Sequence, residues 1–267
     1  MSTIPGFWED GPHDPIPIEE SWREFVRNIG GAVLDDVLPN QRQFENADFA
    51  FLEKSVVLEL KEIETEFSSR GAFHAGFDSL MRRLVAEDPD WRPALFGGSG
   101  KSPKWFTPEF VRLFRPPLSR VLKKANRQLR DTKDHFKIQE PTGILLLVND
   151  GFTAIGPDSI RAQISELLMH SYSSIDCFVY LTVNRYVEIA GSDQPRLLWV
   201  PAYSDKASDE LVAFVDDLGR QWFDFVESKV GQFTSRIEVP QPTDILRGAQ
   251  AIKISPQNDG SQVTHAK

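Results

Sequence analysis

The chain has 267 residues, of which 40% are hydrophobic, and this length and composition suit one sizeable core with appended elements. A formal net charge of −9 excludes a chain that is basic throughout, as many nucleic-acid-binding proteins are. The single cysteine, Cys177, excludes an intramolecular disulfide framework and fits a reducing cytoplasm.

The first part of the chain predicts an irregular arm, a helix and the start of a sheet. Residues 1–17 are rich in proline and acidic side chains and predict the irregular arm. Residues 20–37 carry large apolar side chains at helical spacing and predict the first helix. The run from 56 to 61 alternates between two faces, which predicts a strand with one apolar face. The faces carry Val56, Leu58 and Leu60 on one side, and Val57, Glu59 and Lys61 on the other.

Two carboxylates face each other in the predicted hairpin. The short run from residue 48 to residue 52 precedes this strand, and a two-residue turn at Glu53-Lys54 would join the two runs. Asp48 then lies opposite Glu59, with Cβ atoms about 5 Å apart, and like charges at that distance repel unless a cation neutralises them. The prediction depends on the turn, because Glu-Lys is not the chemistry that tight hairpins favour. A three-residue loop would place the carboxylates on opposite faces.

The rest of the chain predicts an insertion followed by alternating helices and strands. The insertion covers residues 67–107 and contains a helix over His74–Glu87. The later elements follow in this order: helix 116–136, strand 143–148, helix 157–169, strand 175–183, a hairpin of 186–189 with 196–200, and helix 208–230. We therefore expect a single domain over residues 18–236 and a disordered tail over 237–267. The aromatic stripe of the last helix completes the core in this interpretation, with a homodimer interface as the alternative.

Basic side chains concentrate in one part of this acidic chain. Residues 101–137 hold eleven Lys and Arg against three acidic residues, a local charge of +8 that leaves −17 for the remainder. Such a segment is typical of a phosphate-binding surface. A solvated helix face, or a surface that pairs with the chain's own acidic side chains, would have the same composition. The expected nucleic-acid contacts within the predicted helix are Lys123, Lys124, Arg127 and Gln128.

These motifs resemble the PD-(D/E)XK nuclease superfamily. The resemblance rests on Asp48, ten intervening residues and then Glu59-Leu60-Lys61 directly after an apolar run. It continues with the helical run from Lys124 to Gln128 and the apolar strand 143–148, although Ala47 stands where the family name has proline. It covers residues 18–183. The resemblance implies an α/β, restriction-endonuclease-like fold with a central mixed sheet flanked by helices, to which this chain adds the inserted helix and loop and a C-terminal helix.

The resemblance also implies an activity and assigns roles to the site residues. Asp48 and Glu59 would hold Mg²⁺, for which Mn²⁺ would substitute, and the backbone carbonyl of Leu60 would add a ligand. Lys61 would orient or deprotonate the attacking water. The implied reaction is hydrolysis of phosphodiester bonds in nucleic acid, with DNA favoured over RNA.

Two points remain open from the sequence. An acidic residue of the first helix, Glu19 or Glu20, could add a carboxylate to the metal site, although an exposed glutamate in a first helical turn needs no such role. The function also has an alternative, which is a non-catalytic module that keeps the same fold and binds nucleic acid or a protein partner.

Other kinds of site find little support in the sequence. The segment Gly97–Ser102 looks like part of a phosphate-binding loop, but Leu95 stands where that pattern requires glycine, so we interpret the segment as a flexible loop. The histidines show no zinc-ligand spacing. No Lys or Arg precedes Arg23, and no run approaches the roughly 20 apolar residues of a membrane span. We therefore expect neither a secretory signal nor a membrane partner, and a cytoplasmic location.

Overall fold

The computed structural model describes residues 13–39, 41, 44–63, 71–91, 101–152, 155–189, 192, 196–239, 246 and 250–251. The α-helices in this part of the chain are α1 (Ile18–Asn28), α2 (Leu34–Val37), α3 (Gly71–Glu87), α4 (Phe106–Arg112), α5 (Arg115–Phe136), α6 (Pro157–His170) and α7 (Asp209–Val230). The strands are β1 (Ala32–Val33), β2 (Phe49–Phe51), β3 (Val56–Ile63), β4 (Thr142–Asn149), β5 (Cys177–Leu181), β6 (Val187–Glu188), β7 (Trp199–Tyr203) and β8 (Gln250–Ala251).

One mixed sheet of six strands forms the centre of the fold, in the order β1-β2-β3-β4-β5-β7. The central pairs β3–β4 and β4–β5 are parallel, and the outer pairs are antiparallel. Parallel neighbours need a crossover connection, and the chain passes through α5 between β3 and β4 and through α6 between β4 and β5. The predicted α/β class and the central mixed sheet flanked by helices are thus confirmed, and this architecture is compatible with a restriction-endonuclease-like fold.

Helices cover both faces of the sheet. On one face, α5 and α6 pack against side chains such as Val57 and Leu145. On the other face, α1 and α7 pack against Leu58 and Leu146, and the indole rings of Trp22 and Trp222 stack with centroids 4.1 Å apart. Strand β3 is therefore buried on both sides. The face that bears Glu59 is covered by protein, where the sequence predicted only the opposite face to be apolar.

Helix α7 closes the second face of the sheet. It begins as predicted after Ser208, whose hydroxyl accepts a hydrogen bond from the Leu211 N–H at 3.3 Å. Its apolar stripe lies inside the chain's own core, with Val215 and Trp222 fully buried. That stripe therefore completes the chain's own core, and the alternative of a homodimer interface stays a prediction.

The predicted first helix, residues 20–37, is wrong in its second half. The helix ends at Asn28, and the chain then forms β1 and the short α2. Gly30 has a φ of +80°, a left-handed conformation that breaks a helix. A Cβ on Gly31 would lie 2.6 Å from Val26 Cγ1 and 2.7 Å from Phe51 Cζ, so this turn also packs tightly. The two glycines turn the chain and bring α2 beside the hairpin.

The predicted hairpin of 186–189 with 196–200 is reduced to one bridge between Val187 and Arg196. Strand β7 instead pairs with β5 along its whole length, because the edge of the main sheet offers five partners. Strand β6 pairs with β8, and Leu246 is fully buried. The predicted disordered tail over 237–267 is therefore wrong at Leu246 and at 250–251.

The predicted irregular arm is described from His13 onward, and its residues 1–12 lie outside the described part of the chain. Its described residues, 13–17, have no helix or strand before α1 begins at Ile18, and they are bonded to the core. His13 Nε2 lies 3.0 Å from the carbonyl of Val183, and the Ile16 N–H donates to Asn184 Oδ1 at 3.0 Å. Most of the glycine loop 97–102 also lies outside the described residues.

Replacing Gly31 by alanine should destabilise the fold by about 1–3 kcal/mol, because the added methyl group overlaps Val26 and Phe51, which cannot move away inside the core. Denaturant unfolding measures this loss. Gly71→Ala is the matched control, since a Cβ there meets nothing within 4 Å. Equal stability of the two variants would contradict the close packing at Gly31.

Candidate active site

The register of the β2–β3 hairpin places Asp48 opposite Glu59. Phe49 pairs with Leu58, Ala50 with Val57 and Phe51 with Val56, and one further step in this register joins Asp48 to Glu59. The predicted two-residue turn is wrong, since the strands are joined by four residues, Leu52 to Ser55, of which Ser55 has a φ of 54°. The register is nevertheless the predicted one, because the loop is longer by one residue on each side, Leu52 before the predicted turn and Ser55 after it.

The carboxylate of Asp48 is fixed across the hairpin. Its Oδ2 atom accepts the backbone N–H of Leu60 at 2.7 Å. Its backbone carbonyl accepts the N–H of Leu34, the first residue of α2, at 2.9 Å. Asp48 therefore lies between α2 and β3 and contacts the strand beside Glu59. Leu60, predicted to contribute its carbonyl to a metal, takes part here through its N–H.

Glu59 is a fully buried carboxylate, and only one of its two oxygens has a hydrogen-bond partner among the described residues. Its Oε1 atom pairs with Nζ of Lys61, two residues along the same strand face. Its Oε2 atom is buried and has no hydrogen-bond partner among the described residues. Burial, followed by the negative charge of Asp48, raises the pKa of Glu59 to about 8. An unpartnered buried oxygen of this kind is costly, and it is the sort of group that a cation satisfies.

Further carboxylates surround Asp48. Burial raises the pKa of Asp48, and the negative charges of Glu19 and Asp35 raise it too, against the lowering effect of the Leu60 N–H and Lys61. Arg23 bridges these two carboxylates, at 3.0 Å from Glu19 and 2.8 Å from Asp35.

Of the two acidic candidates on the first helix, Glu19 is the one whose charge reaches Asp48, and the addition of either carboxylate to a metal site stays a prediction. Glu20 is exposed, and it lies about 100° round the helix from Glu19. Asp35 was missed by the sequence analysis, because the predicted helix over 20–37 ran through it. The pair Gly30-Gly31 was the signal that could have separated Asp35 from that helix and placed it beside the hairpin.

Helix α5 holds the segment that leads into Asp48. Gln128 Nε2 donates to the carbonyl of Asn46 at 2.9 Å, and the Ala47 N–H donates to Oγ1 of Thr132 at 2.8 Å. Gln128 is buried and its amide joins α5 to the segment before the hairpin, and its predicted contact with nucleic acid stays a prediction. Thr132 lies one turn further along the same helix face, a position that helical spacing alone could have linked to Gln128.

A cavity of about 270 Å³ opens beside Asp48. Its lining residues are Asp35, Phe44, Glu45, Asn46, Asp48, Lys124 and Gln128. Lys124 is exposed and close enough for its charge to lower the pKa of Glu59 against the stronger effect of burial. The structure therefore brings together six of the predicted site residues: Asp48, Glu59, Leu60, Lys61, Lys124 and Gln128.

The predicted basic surface is partly neutralised by the chain itself. Five of its cations pair with acidic side chains: Arg112 with Glu109, Arg115 with Glu166, Arg127 with Glu45, Arg130 with Asp131, and Lys133 with Asp176. For these five residues the structure therefore agrees with the alternative given by the sequence, in which the basic segment pairs with acidic side chains of the same chain. Lys123 and Lys124 form no ion pair within the described chain, and they line a groove of about 470 Å³ along α5.

The site offers two carboxylates to a metal ion. No group of three or more His, Cys, Asp or Glu side chains suited to a metal occurs among the described residues. Asp48 and Glu59 supply oxygen ligands, which Mg²⁺ prefers, and the unpartnered Oε2 of Glu59 is an atom that such an ion would satisfy. On these observations the residues fit a hard divalent cation.

Comparisons with known protein families, with curated proteins and with solved structures found no match to this chain. In the described part of the chain, no helix has the length and apolar character needed to cross a membrane.

Replacing Glu59 by glutamine should stabilise the folded protein, and more so at pH 8 than at pH 5. Between the ordinary pKa of 4.5 and the folded-state pKa of about 8, the unfolded chain releases the Glu59 proton more readily than the folded one. Wild-type stability therefore falls as pH rises through this window, whereas glutamine has no proton to release. We expect Tm to rise by about 2–8 °C at pH 8, and by little at pH 5, in calorimetry without divalent cations.

Glu53→Gln is the control for this measurement, because Glu53 is exposed in the hairpin loop. A Tm difference between Glu59→Gln and wild type that stays constant from pH 5 to pH 8 would contradict the burial of an ionisable group at this position.

Thr132→Val should cost about 1–3 kcal/mol of stability, because the Ala47 N–H loses its partner inside the protein while the side-chain volume is kept. The segment before Asp48 should loosen as well, so the rise in Tm caused by Mg²⁺ should shrink. Thr107→Val, on the exposed side of α4, is the matched control. Unchanged stability and an unchanged Mg²⁺ effect would show that this hydrogen bond does not position the site.

Proposed function

We propose that this chain is a metal-dependent nuclease of the PD-(D/E)XK type, which hydrolyses phosphodiester bonds in nucleic acid, DNA more readily than RNA. The observation that carries the proposal is the buried Glu59 carboxylate, paired with Lys61 on one oxygen, unpartnered on the other and facing Asp48 across the hairpin. A buried charged cluster of this composition beside an open cavity is typical of a catalytic site.

Asp48 and Glu59 are the residues that would hold Mg²⁺ or Mn²⁺, and the family resemblance adds the backbone carbonyl of Leu60. The bound ion would act as a Lewis acid on a phosphate oxygen and lower the pKa of the attacking water. The Leu60 N–H keeps the Asp48 carboxylate turned toward β3. Gln128 and Thr132 hold the preceding segment against α5, so the two carboxylates keep their relative position.

Lys61 and Lys124 supply the positive charge that the reaction needs. Lys61 remains partly exposed, with 18% of its side chain accessible, so its ammonium can reach both Glu59 and a water molecule in the site. It would orient the water whose oxygen forms a bond to phosphorus as the bond from phosphorus to the leaving sugar oxygen breaks. Lys124 lies on the rim of the cavity and would bind a non-bridging phosphate oxygen.

A second candidate function is a non-catalytic module that binds nucleic acid or a protein partner. The observation in its favour is electrostatic, since the chain carries a net charge of −9 and five cations of the basic segment pair with its own acids. This candidate predicts binding without turnover, and it gives the carboxylates no role in hydrolysis.

A cleavage assay with Mg²⁺ or Mn²⁺ on single- and double-stranded DNA and on RNA separates the two functions. The nuclease should lose about 100-fold or more of its rate on Asp48→Ala and on Lys61→Ala, because each removes a group that touches the reacting atoms or their metal. Glu53→Ala and Lys206→Ala remove exposed charges of the same sign elsewhere and should leave the rate unchanged.

Metal binding is tested separately from turnover. Mg²⁺ should raise the Tm of wild type at pH 8 and should have little effect on Glu59→Gln, since ligands that bind only the folded state stabilise it. Absence of metal-dependent cleavage on all substrates, together with no Mg²⁺ effect on Tm, would overturn the proposal in favour of the binding module.

A further inference from the structure

The groove along α5 has an aromatic wall as well as cationic ones. Its lining residues are Arg120, Lys123, Lys124, Asn126, Arg127, Arg130 and Tyr172, and we refer to this set as the α5 groove. Its volume of about 470 Å³ falls in the range of sites that hold small organic groups. Tyr172 comes from the loop between α6 and β5, so two separate parts of the chain build the groove.

Tyr172, which lines the groove, has an unfavourable backbone conformation. Its φ of +67° lies in the left-handed region, which side chains other than glycine rarely adopt. Such strain costs of order 1–3 kcal/mol and persists only where surrounding contacts impose it. Here the Tyr172 hydroxyl lies 2.8 Å from Ser119 Oγ, and the Ser174 N–H donates to Asn126 Oδ1 at 2.8 Å. The loop is therefore fastened to α5 with the ring on the groove wall.

The charges of the α5 groove match a polyanion. Lys123 and Lys124 are exposed and form no ion pair within the described chain. Arg127 and Arg130 are also exposed, and their pairs with Glu45 and Asp131 lie at the surface, where ion pairs are weak and exchange readily with a phosphate. The groove thus presents a row of cations that follows one helix face beside a single aromatic ring.

An aromatic ring among cations favours an unpaired strand over a double helix. In a duplex the bases stack on each other and present only their edges, so a side-chain ring cannot lie against a base face. In a single strand the base faces are free, and stacking on an aromatic side chain is the common mode of binding. A groove of this volume has room for about one nucleotide.

The α5 groove lies next to the cavity beside Asp48, because Lys124 lines both. We propose that the α5 groove binds a single-stranded segment of nucleic acid, with one base against the ring of Tyr172 and neighbouring phosphates on Lys123 and Lys124. The strand then passes from Lys124 into the site of Asp48 and Glu59. Binding in the groove stands without catalysis, whereas this last step rests on the proposed function.

Binding in the presence of a chelator tests the groove without cleavage. Fluorescence anisotropy of labelled single-stranded DNA, single-stranded RNA and a blunt duplex of the same sequence, over a range of salt concentrations, gives the affinities. Wild type should bind the single strands more tightly than the duplex. Tyr172→Ala should weaken single-strand binding by about 5- to 100-fold, and Tyr172→Phe, which keeps the ring, should retain most of it.

The lysines are tested through the salt dependence. Lys123→Ala should reduce the slope of log K against log salt by about 0.7, because one phosphate contact is lost. Lys206→Ala, an exposed lysine in the turn before α7, is the control and should leave the slope unchanged. An unchanged slope for Lys123→Ala would overturn the assignment of phosphate to this residue.

Two measurements keep the result independent of folding. Tyr172→Gly removes the ring but suits the left-handed backbone, so it should unfold no more easily than Tyr172→Ala while binding as weakly. A photoreactive iodouracil in the strand should crosslink to Tyr172 in the wild-type protein. Duplex binding as tight as single-strand binding, or unchanged affinity in both ring-deleted variants, would overturn the proposal.

The outcomes also distinguish this proposal from the proposed function. Single-strand binding that depends on Tyr172, without any metal-dependent cleavage, would support the groove and overturn the nuclease. If cleavage requires Asp48 but the affinity for single strands does not depend on Tyr172, the nuclease is supported and the proposed binding in the α5 groove is overturned.

Discussion

The structure depends on one constraint, which is that Glu59 lies in a strand buried on both faces. A carboxylate in the middle of a sheet is unfavourable unless its surroundings compensate it. Lys61 on the same strand face compensates one oxygen, and the other faces the side of the hairpin that Asp48 occupies. The fold thus keeps an ionisable group that is costly to charge at a fixed place, and stability is often lost in this way where a site serves function.

Helix α5 connects that buried charge to the outside. Its inner face carries the apolar residues that cover the sheet, and the adjoining Gln128 and Thr132 bind the chain just before Asp48. Its outer face carries Lys123 and Lys124. A displacement of this helix would therefore move the two lysines and the Asp48 carboxylate together. At its far end the partly buried ion pair of Lys133 and Asp176 fastens it to the loop before β5, which limits such displacement.

Side-chain alternation was sufficient to place Glu59 and Lys61 on one face of β3, whereas the facing of Asp48 and Glu59 also depended on an even number of residues in the turn. The turn itself was mispredicted, since the same register accommodates loops of two or four residues. Asp35 and Tyr172 were missed for a different reason. Their positions depend on how the chain returns after Gly30 and after α6, and contacts between distant segments leave no periodic pattern in the sequence. Gln128 was placed correctly on its helix, but whether it faced substrate or backbone depended on the packing of α5.

The uneven distribution of charge has a consequence for how a partner arrives. An acidic remainder repels a polyanion from most directions, while the exposed lysines of α5 attract it from one. Encounters would then be oriented before contact, so association would be selective in direction even though the whole chain is negative. This orientation acts over roughly 8 Å at physiological ionic strength, and it fades as salt screens the field. The net charge, which opposes nucleic-acid binding when counted as a total, would on the proposal above guide a strand toward α5.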